Sequence, residues 1–204
     1  MLEVVNLACV RGDRPLFSDL SFALKPGDLL HVVGANGTGK TTLLRTLCGL
    51  TQQAAGEIRW RGAETRALGD EFRNELAYVG HLNGIQGELT PAENLRAAAG
   101  LAGAADPERI DAALETVRLS PYRGFPAKIL SQGQKRRLAL ARLVLLRKPL
   151  WILDEPFSAL DVASVTLMTQ ALTGHLADGG MVVLTSHQDF EVEIKNVTYV
   201  RLDA

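Results

Sequence analysis

The stretch LLHVVGANGTGKTTLLRTLC, residues 29–48, changes character twice. Residues 29–33 are an apolar run of strand length, residues 34–39 hold three glycines, and a helical pattern follows from Lys40. Strand, glycine loop and helix together fit the spacing GxxxxGK(S/T), with Gly34, Gly39, Lys40 and Thr41 at the fixed places. Glycines let the chain turn tightly enough for several amides to face one phosphate chain. The helix start adds roughly half a unit of positive charge. Ala35, Asn36, Gly37, Thr38 and Thr42 complete the expected cradle. Lys40 is expected to reach the β- and γ-phosphates of a nucleotide, and the Thr41 hydroxyl to hold Mg²⁺.

Outward from this stretch, short apolar runs alternate with helical patterns, which predicts an α/β fold with a mostly parallel sheet. Strands are expected over 2–6, 19–24, 29–33, 57–61, 76–79, 150–154, 181–185 and 197–201. The first of them are short and flanked by the turn signals RGDRP and KPGD, the pattern of an antiparallel β edge. Helices are expected over 40–48, 162–177 and most of 91–146. The middle segment is Ala- and Leu-rich without strands. Thr90, Pro91 and Glu93 form one helix start and Asp106 another. The chain therefore divides into a core, residues 1–90 and 147–204, and an inserted helical subdomain over about 91–146, within one domain.

A chain of 204 residues supports a substantial core, and 22 basic against 23 acidic side chains leave no basic footprint for nucleic acid. Cys9 and Cys48 lie outside any metal-ligand spacing and read as reduced structural thiols. No basic head followed by an apolar stretch marks a signal peptide, and LALARLVLL is too short and too interrupted by arginine to cross a bilayer. The chain itself is therefore not expected to span a membrane, which leaves docking on one open.

A second chemical site is written in LWILDEP, residues 150–156, an apolar strand ending in two carboxylates. Neighbours on a strand point in opposite directions, so Asp154 and Glu155 cannot do the same work. Asp154 suits the Mg²⁺ shell, and Glu155 then faces the γ-phosphate, where it can orient or deprotonate a water. A third feature is KILSQGQKRRLALA, residues 128–141. Ser131 and Gln134 form a capping box, yet Gly133 sits in that first turn at a cost of about 1 kcal/mol relative to alanine. A helix that only packs does not need a bare backbone at its mouth.

In this order the motifs resemble those of the ABC-type ATPases. LSQGQ, with Ser131, Gln132, Gly133 and Gln134, resembles the family's LSGGQ signature. SALD, ending in Asp161, resembles its D-loop, and His187 in VVLTSH its switch histidine. The resemblance runs from about residue 2 to 187, nearly the whole chain. It implies a homodimer of ATPase subunits facing head to tail, with ATP and Mg²⁺ as cofactors and two sites each built from both chains. Ser131 and the Gly133 amide of one copy would donate to the γ-phosphate held by the loop of the other. A side chain at Gly133 would block that approach. Glu155, His187 and Lys40 would be catalytic.

Two positions depart from the family pattern. Arg11 stands where an aromatic usually stacks on adenine. A guanidinium plane can stack on a base too, and as a plain surface charge it would leave base selection loose. His81, in YVGH, replaces the usual Q-loop glutamine; imidazole takes Mg²⁺ less readily than an amide oxygen does. Gln132 for the first signature glycine is milder, since that place does not approach phosphate. The segment 82–90 after His81 reads either as a lever to a partner or as an unconstrained surface loop.

Within the family, YVGHLNGIQGELTPAENL and LWILDEPFSALDV most resemble the haem-exporter ATPases of bacterial cytochrome c maturation. That resemblance implies integral inner-membrane subunits as partners and a peripheral place on the cytoplasmic face of the inner membrane. Its task would be release of a haem-loaded chaperone driven by ATP hydrolysis. No CxxCH occurs, so no direct haem ligation is expected. A soluble ABC ATPase of a cytosolic assembly system, or the motor of another small exporter, would share every motif. A P-loop kinase would lack Ser131, Gly133 and His187 as a set.

Overall fold

The computed structural model of the chain describes residues 1–101, 106–158, 160–186 and 196–202. Strands β1 (Leu2–Arg11) and β2 (Arg14–Leu24) form an antiparallel hairpin turning at Gly12 and Asp13. Both run well beyond 2–6 and 19–24. Register shifts, with Asn6 at φ 49 and Asp19 at φ 54, break the alternation that marks a strand in sequence while the pairing continues across them. The Ser21 hydroxyl accepts from the Asn6 amide at 2.8 Å and donates to its side-chain oxygen at 3.2 Å, which fixes the irregularity.

β3 (Leu29–Gly34) leads into α1 (Lys40–Leu47), followed by β4 (Ala55–Trp60) and the short β5 (Ala63–Glu64). The order β2-β1-β4-β5 makes a four-stranded antiparallel sheet. Two short helices absent from the sequence reading, α2 (Thr65–Leu68) and α3 (Asp70–Asn74), precede β6 (Leu76–Val79). The helical stretch comprises α4 (Pro91–Leu101), α5 (Pro107–Thr116), two 3-10 turns and α6 (Gln132–Leu146). β7 (Leu150–Asp154), α7 (Val162–Ala177), β8 (Met181–Thr185) and β9 (Val197–Leu202) complete the described chain.

The second sheet is parallel throughout, in the order β6-β7-β8-β3-β9. Every residue of β7 and β8 is buried, which is why these strands read as unbroken apolar runs: both faces are covered. Trp151, Leu153, Val182 and Leu184 face a core shared with α4, α5, α6 and α7. Leu150, Ile152, Met181 and Val183 face the other, shared with α1 and the antiparallel sheet. Leu95, Ile110, Leu114 and Leu138 belong to the first of these cores, which runs on from the sheet into the helical stretch; α4 and α5 pack on each other and on α6, and α6 reaches β6.

The cap residues do what their sequence pattern requires. The Thr90 amide donates to Glu93 at 2.8 Å while the Glu93 amide returns a bond to Thr90 Oγ1 at 3.2 Å. Asp106 accepts from the Glu108 amide at 3.0 Å. Cys9 and Cys48 are free and buried, and burial pushes the Cys48 thiol up to about 12, so it stays protonated and inert. Against the first residues of β7, the His175 imidazole stacks on Trp151 with centroids 3.9 Å apart and planes 6° apart. No described helix is long and apolar enough to cross a membrane.

Candidate functional site

Among the described helices of eight or more residues, α1 has its start left without a side-chain cap. Its N-cap is Gly39, at φ 104, and no side chain caps it, whereas α5, α6 and α7 are closed by Asp106, Ser131 and Asp161. The first amides of α1 and its dipole are therefore free for an anion. The preceding loop is held by its own groups. Thr38 Oγ1 donates to the Ala35 carbonyl at 3.0 Å, and the Lys40 ammonium donates to the carbonyls of Gly34 at 2.7 Å and Ala35 at 3.1 Å. Gly34 is obligatory: at φ +156, an added Cβ would lie 2.5 Å from the Leu202 carbonyl oxygen and 2.8 Å from Thr38 Oγ1.

The end of β7 lies beside this loop because α1 packs on β7 and β8 through the core of Leu43, Leu44 and Leu47. Thr41 Oγ1 donates to Asp154 Oδ2 at 2.9 Å. Thr185 Oγ1, at the end of β8, donates to Asp154 Oδ1 at 2.8 Å and accepts from the Glu155 amide at 3.0 Å. Asp154 is 4 % exposed, so its charge is felt locally. Burial first, and then that charge, push the Tyr78 phenol up to about 12. β7 ends at Asp154 and Glu155 follows it at φ 52, a left-handed rather than an extended conformation, so strand alternation does not set the direction of Glu155.

A cleft of about 260 Å³ collects these groups: Asn36, Gly37, Gly39, Lys40, Thr41 and Thr42 of the loop and helix, Asp154 and Glu155, and also Arg11, Leu16 and His81. Arg11 and His81, separated by most of the antiparallel sheet in sequence, are brought to the same rim. Among the described residues, no Phe, Tyr or Trp side chain lines the cleft. Thr41 and Asp154 offer two hard oxygens within hydrogen-bond distance, a donor set suited to Mg²⁺. A larger cavity of about 680 Å³ opens at the opposite end of the strands, around Pro149, Trp151 and Gly180, and none of the predicted residues lines it.

Ser131, Gln132, Gly133 and Gln134 do not line the cleft. They start α6, where the capping box is complete: the Gln134 amide donates to Ser131 Oγ at 3.2 Å and the Ser131 amide to Gln134 Oε1 at 2.8 Å. Ser131 and Gln132 are exposed and Gly133 half-buried. Asp161 caps α7 by accepting from the Ser164 amide at 2.8 Å, and the hydrogen bonds from Ser164 hold its carboxyl below the usual range. His187 lies outside the described residues.

Three groups escaped the sequence reading. Thr185 was visible only as the last residue of an apolar strand. Asn94 ties the 86–90 turn, donating to the carbonyls of Gln86 at 3.0 Å, Leu89 at 3.2 Å and Thr90 at 3.0 Å. Arg136 is 5 % exposed, and its signal was a cation in the apolar seam of α6.

The model of the family described as ABC transporter matches residues 17–158, more than two thirds of the chain. The chain is 54 % identical over 204 residues to the cytochrome c biogenesis ATP-binding export protein CcmA of Dechloromonas aromatica (strain RCB), covering 99 % of this chain and 100 % of that protein. Among solved structures it is similar to an ATP-binding subunit of an ABC transporter, with TM-score 0.89, 27 % identity, and 99 % of this chain and 85 % of that one covered. It also shares the fold of the ATP-binding cassette MJ0796, solved as a dimer in a post-hydrolysis state with ADP and Pi, with TM-score 0.86, 22 % identity, and 99 % and 96 % covered.

Proposed function

Because the chain belongs to the ABC transporter family and is an ATPase of that family, we propose that it drives the haem-export step of bacterial c-type cytochrome biogenesis. It would act as a peripheral subunit on the cytoplasmic face of the inner membrane, docked on integral subunits. Hydrolysis would release the haem-loaded chaperone. The full-length similarity to a cytochrome c biogenesis export protein supports the assignment. The single observation that carries the ATPase part is the Thr41–Asp154 hydrogen bond, which joins the open end of α1 to the carboxylate strand in one cleft with Lys40 and Glu155.

In this reading the amides of residues 37–41 and the Lys40 ammonium hold the β- and γ-phosphates of ATP. Lys40 exchanges its loop carbonyls for phosphate oxygens. Thr41 and Asp154 would hold Mg²⁺, which supplies neutralisation of the phosphate charge when bound. The Glu155 carboxylate takes a proton from the attacking water, and His187 is assigned to the γ-phosphate. Arg11 offers the base a guanidinium plane, and His81 occupies the Q-loop position. Ser131, Gly133 and the start of α6 close the site of a second copy. Their place outside this chain's own cleft supports a head-to-tail homodimer, and the fold relative MJ0796 was solved as a dimer. Residues 91–146 form the lobe that carries the signature and turns with it, and Asp161 caps the helix at the same interface.

Glu155→Gln should trap an ATP-bound dimer with little turnover. Gel filtration with ATP and Mg²⁺ that shows monomer alone refutes the shared site. For the biological role, a bacterium lacking this chain should lose covalent haem from its c-type cytochromes. The parent chain should restore it and Lys40→Ala should not. Restoration by both would reject the export reading.

A further inference from the structure

Arg136, in the second turn of α6, buries a guanidinium whose N–H groups all find acceptors. Nε donates to the Pro156 carbonyl at 3.2 Å, and Nη1 donates to the Gly80 carbonyl at 3.1 Å and to Asn83 Oδ1 at 2.8 Å. Nη2 donates to the Asp154 carbonyl at 2.8 Å and to that of Glu155. Every acceptor is a neutral carbonyl or amide oxygen. A buried cation held this way depends on each bond, since a lost partner leaves a desolvated donor behind. The charges of Asp154 and Glu155 lie close enough to oppose the effect of burial on the group.

The acceptors fall into two sets. Three belong to the peptides at 154–156. Glu155 there has φ 52, a left-handed conformation costly for a residue with a Cβ, which persists only when its surroundings fix it. Thr185 Oγ1 holds its amide and Arg136 holds its carbonyl. The other two belong to Gly80 and Asn83, which flank His81 and Leu82. Leu82 is 85 % exposed. Further along, Arg142 donates to the Gly84 carbonyl at 3.2 Å. The base of this exposed loop is thus fastened to the catalytic peptide through one side chain.

We infer that Arg136 is a positioning residue with two tasks: it keeps Glu155 in its left-handed orientation, and it ties the 80–83 loop to that peptide so that the two move together. A displacement of the loop then reorients Glu155, and a change at the γ-phosphate reaches the loop without passing through the nucleotide-binding helix. This rests on the reading of Glu155 as the base.

The test uses the full chain carrying Arg136→Lys, Arg136→Met or Asn83→Ala. Steady-state ATP hydrolysis is measured together with binding of a fluorescent ATP analogue, and amide hydrogen exchange over residues 80–84 is followed with and without ATP and Mg²⁺. Lysine keeps the charge but cannot span both sets, so Arg136→Lys should lower kcat at least about fifty-fold while analogue affinity stays within about threefold. Asn83→Ala removes one of the two loop acceptors and leaves the Gly80 carbonyl in place; kcat should stay within about threefold, and the ATP-dependent change in exchange over 80–84 should be clearly weakened. Arg136→Lys with parental kcat overturns the hold on Glu155, and parental ATP-dependent exchange in Asn83→Ala overturns the tie to the loop. Should Arg136→Met fail to fold, these two variants still decide. If Glu155→Gln retains turnover, the role given to Glu155 fails, while the loop tie is still judged by exchange in Asn83→Ala.

Discussion

Thr185→Val removes one hydroxyl and almost no volume, at a side chain with no exposure. Two bonds disappear: the 2.8 Å donation to Asp154 Oδ1 and the 3.0 Å acceptance from the Glu155 amide. A hydrogen bond to a charged acceptor contributes about 1.5–3 kcal/mol, and a buried amide left unpaired costs about 1–3 kcal/mol. The two are coupled through one oxygen, and Asp154 keeps its bond from Thr41, so the sum is best taken near the lower limits, about 3 kcal/mol. For a chain of this size that is a fall of about 6–12 °C in Tm. Thr185→Ser, which keeps the hydroxyl, should lose only about 1 kcal/mol for the missing methyl. Urea unfolding of the three proteins gives the energies, and kcat shows whether Glu155 has lost its anchor: a tenfold drop corresponds to about 1.4 kcal/mol of misplacement. If Thr185→Val unfolds within about 0.5 kcal/mol of the parent and keeps its kcat, the hydroxyl holds neither the Asp154 carboxylate nor the Glu155 amide and the reasoning fails.

Ser131→Arg should abolish turnover while each chain still binds one nucleotide; surviving hydrolysis would remove α6 from the site. Gly56→Ala places a Cβ 2.4 Å from the Asn6 carbonyl oxygen at φ +85, with only backbone to yield, so the β1–β4 pairing should weaken by about 2–4 kcal/mol in urea unfolding. His175 gives a pH dependence. Burial lowers its pKa from 6.5, against weaker opposition from nearby backbone and Asp178. The folded chain therefore resists a proton that the unfolded chain accepts. The stability contribution is fully present above the unfolded value and is lost as pH falls below it toward the depressed folded value. Unfolding followed through tryptophan fluorescence should show this loss, and His175→Phe should flatten it; an unchanged pH profile in His175→Phe would assign the loss to other groups.

The sequence by itself determined the elements whose cause is local. Residues 34–41 announce their loop because glycines must stand where backbone turns against backbone. Thr90, Asp106 and Ser131 announce helix starts because a cap and its amide are neighbours in the chain. The strands at 150–154 and 181–185 were legible because burial on both faces leaves an unbroken apolar run. The length of β1 and β2 was not, since their irregularities are fixed by Asn6 and Ser21 across the hairpin. Arg11 and His81 were placed at the nucleotide site only by resemblance to a family, since no spacing joins them to Lys40, and the chain order could not say that Thr185 joins Asp154 to Glu155. Least legible was Arg136, whose acceptors come from two segments, 80–83 and 154–156, that only the folded sheet places side by side. Such a residue obeys no spacing rule, because what selects it is a pocket of oxygens that exists only after the distant strands have paired.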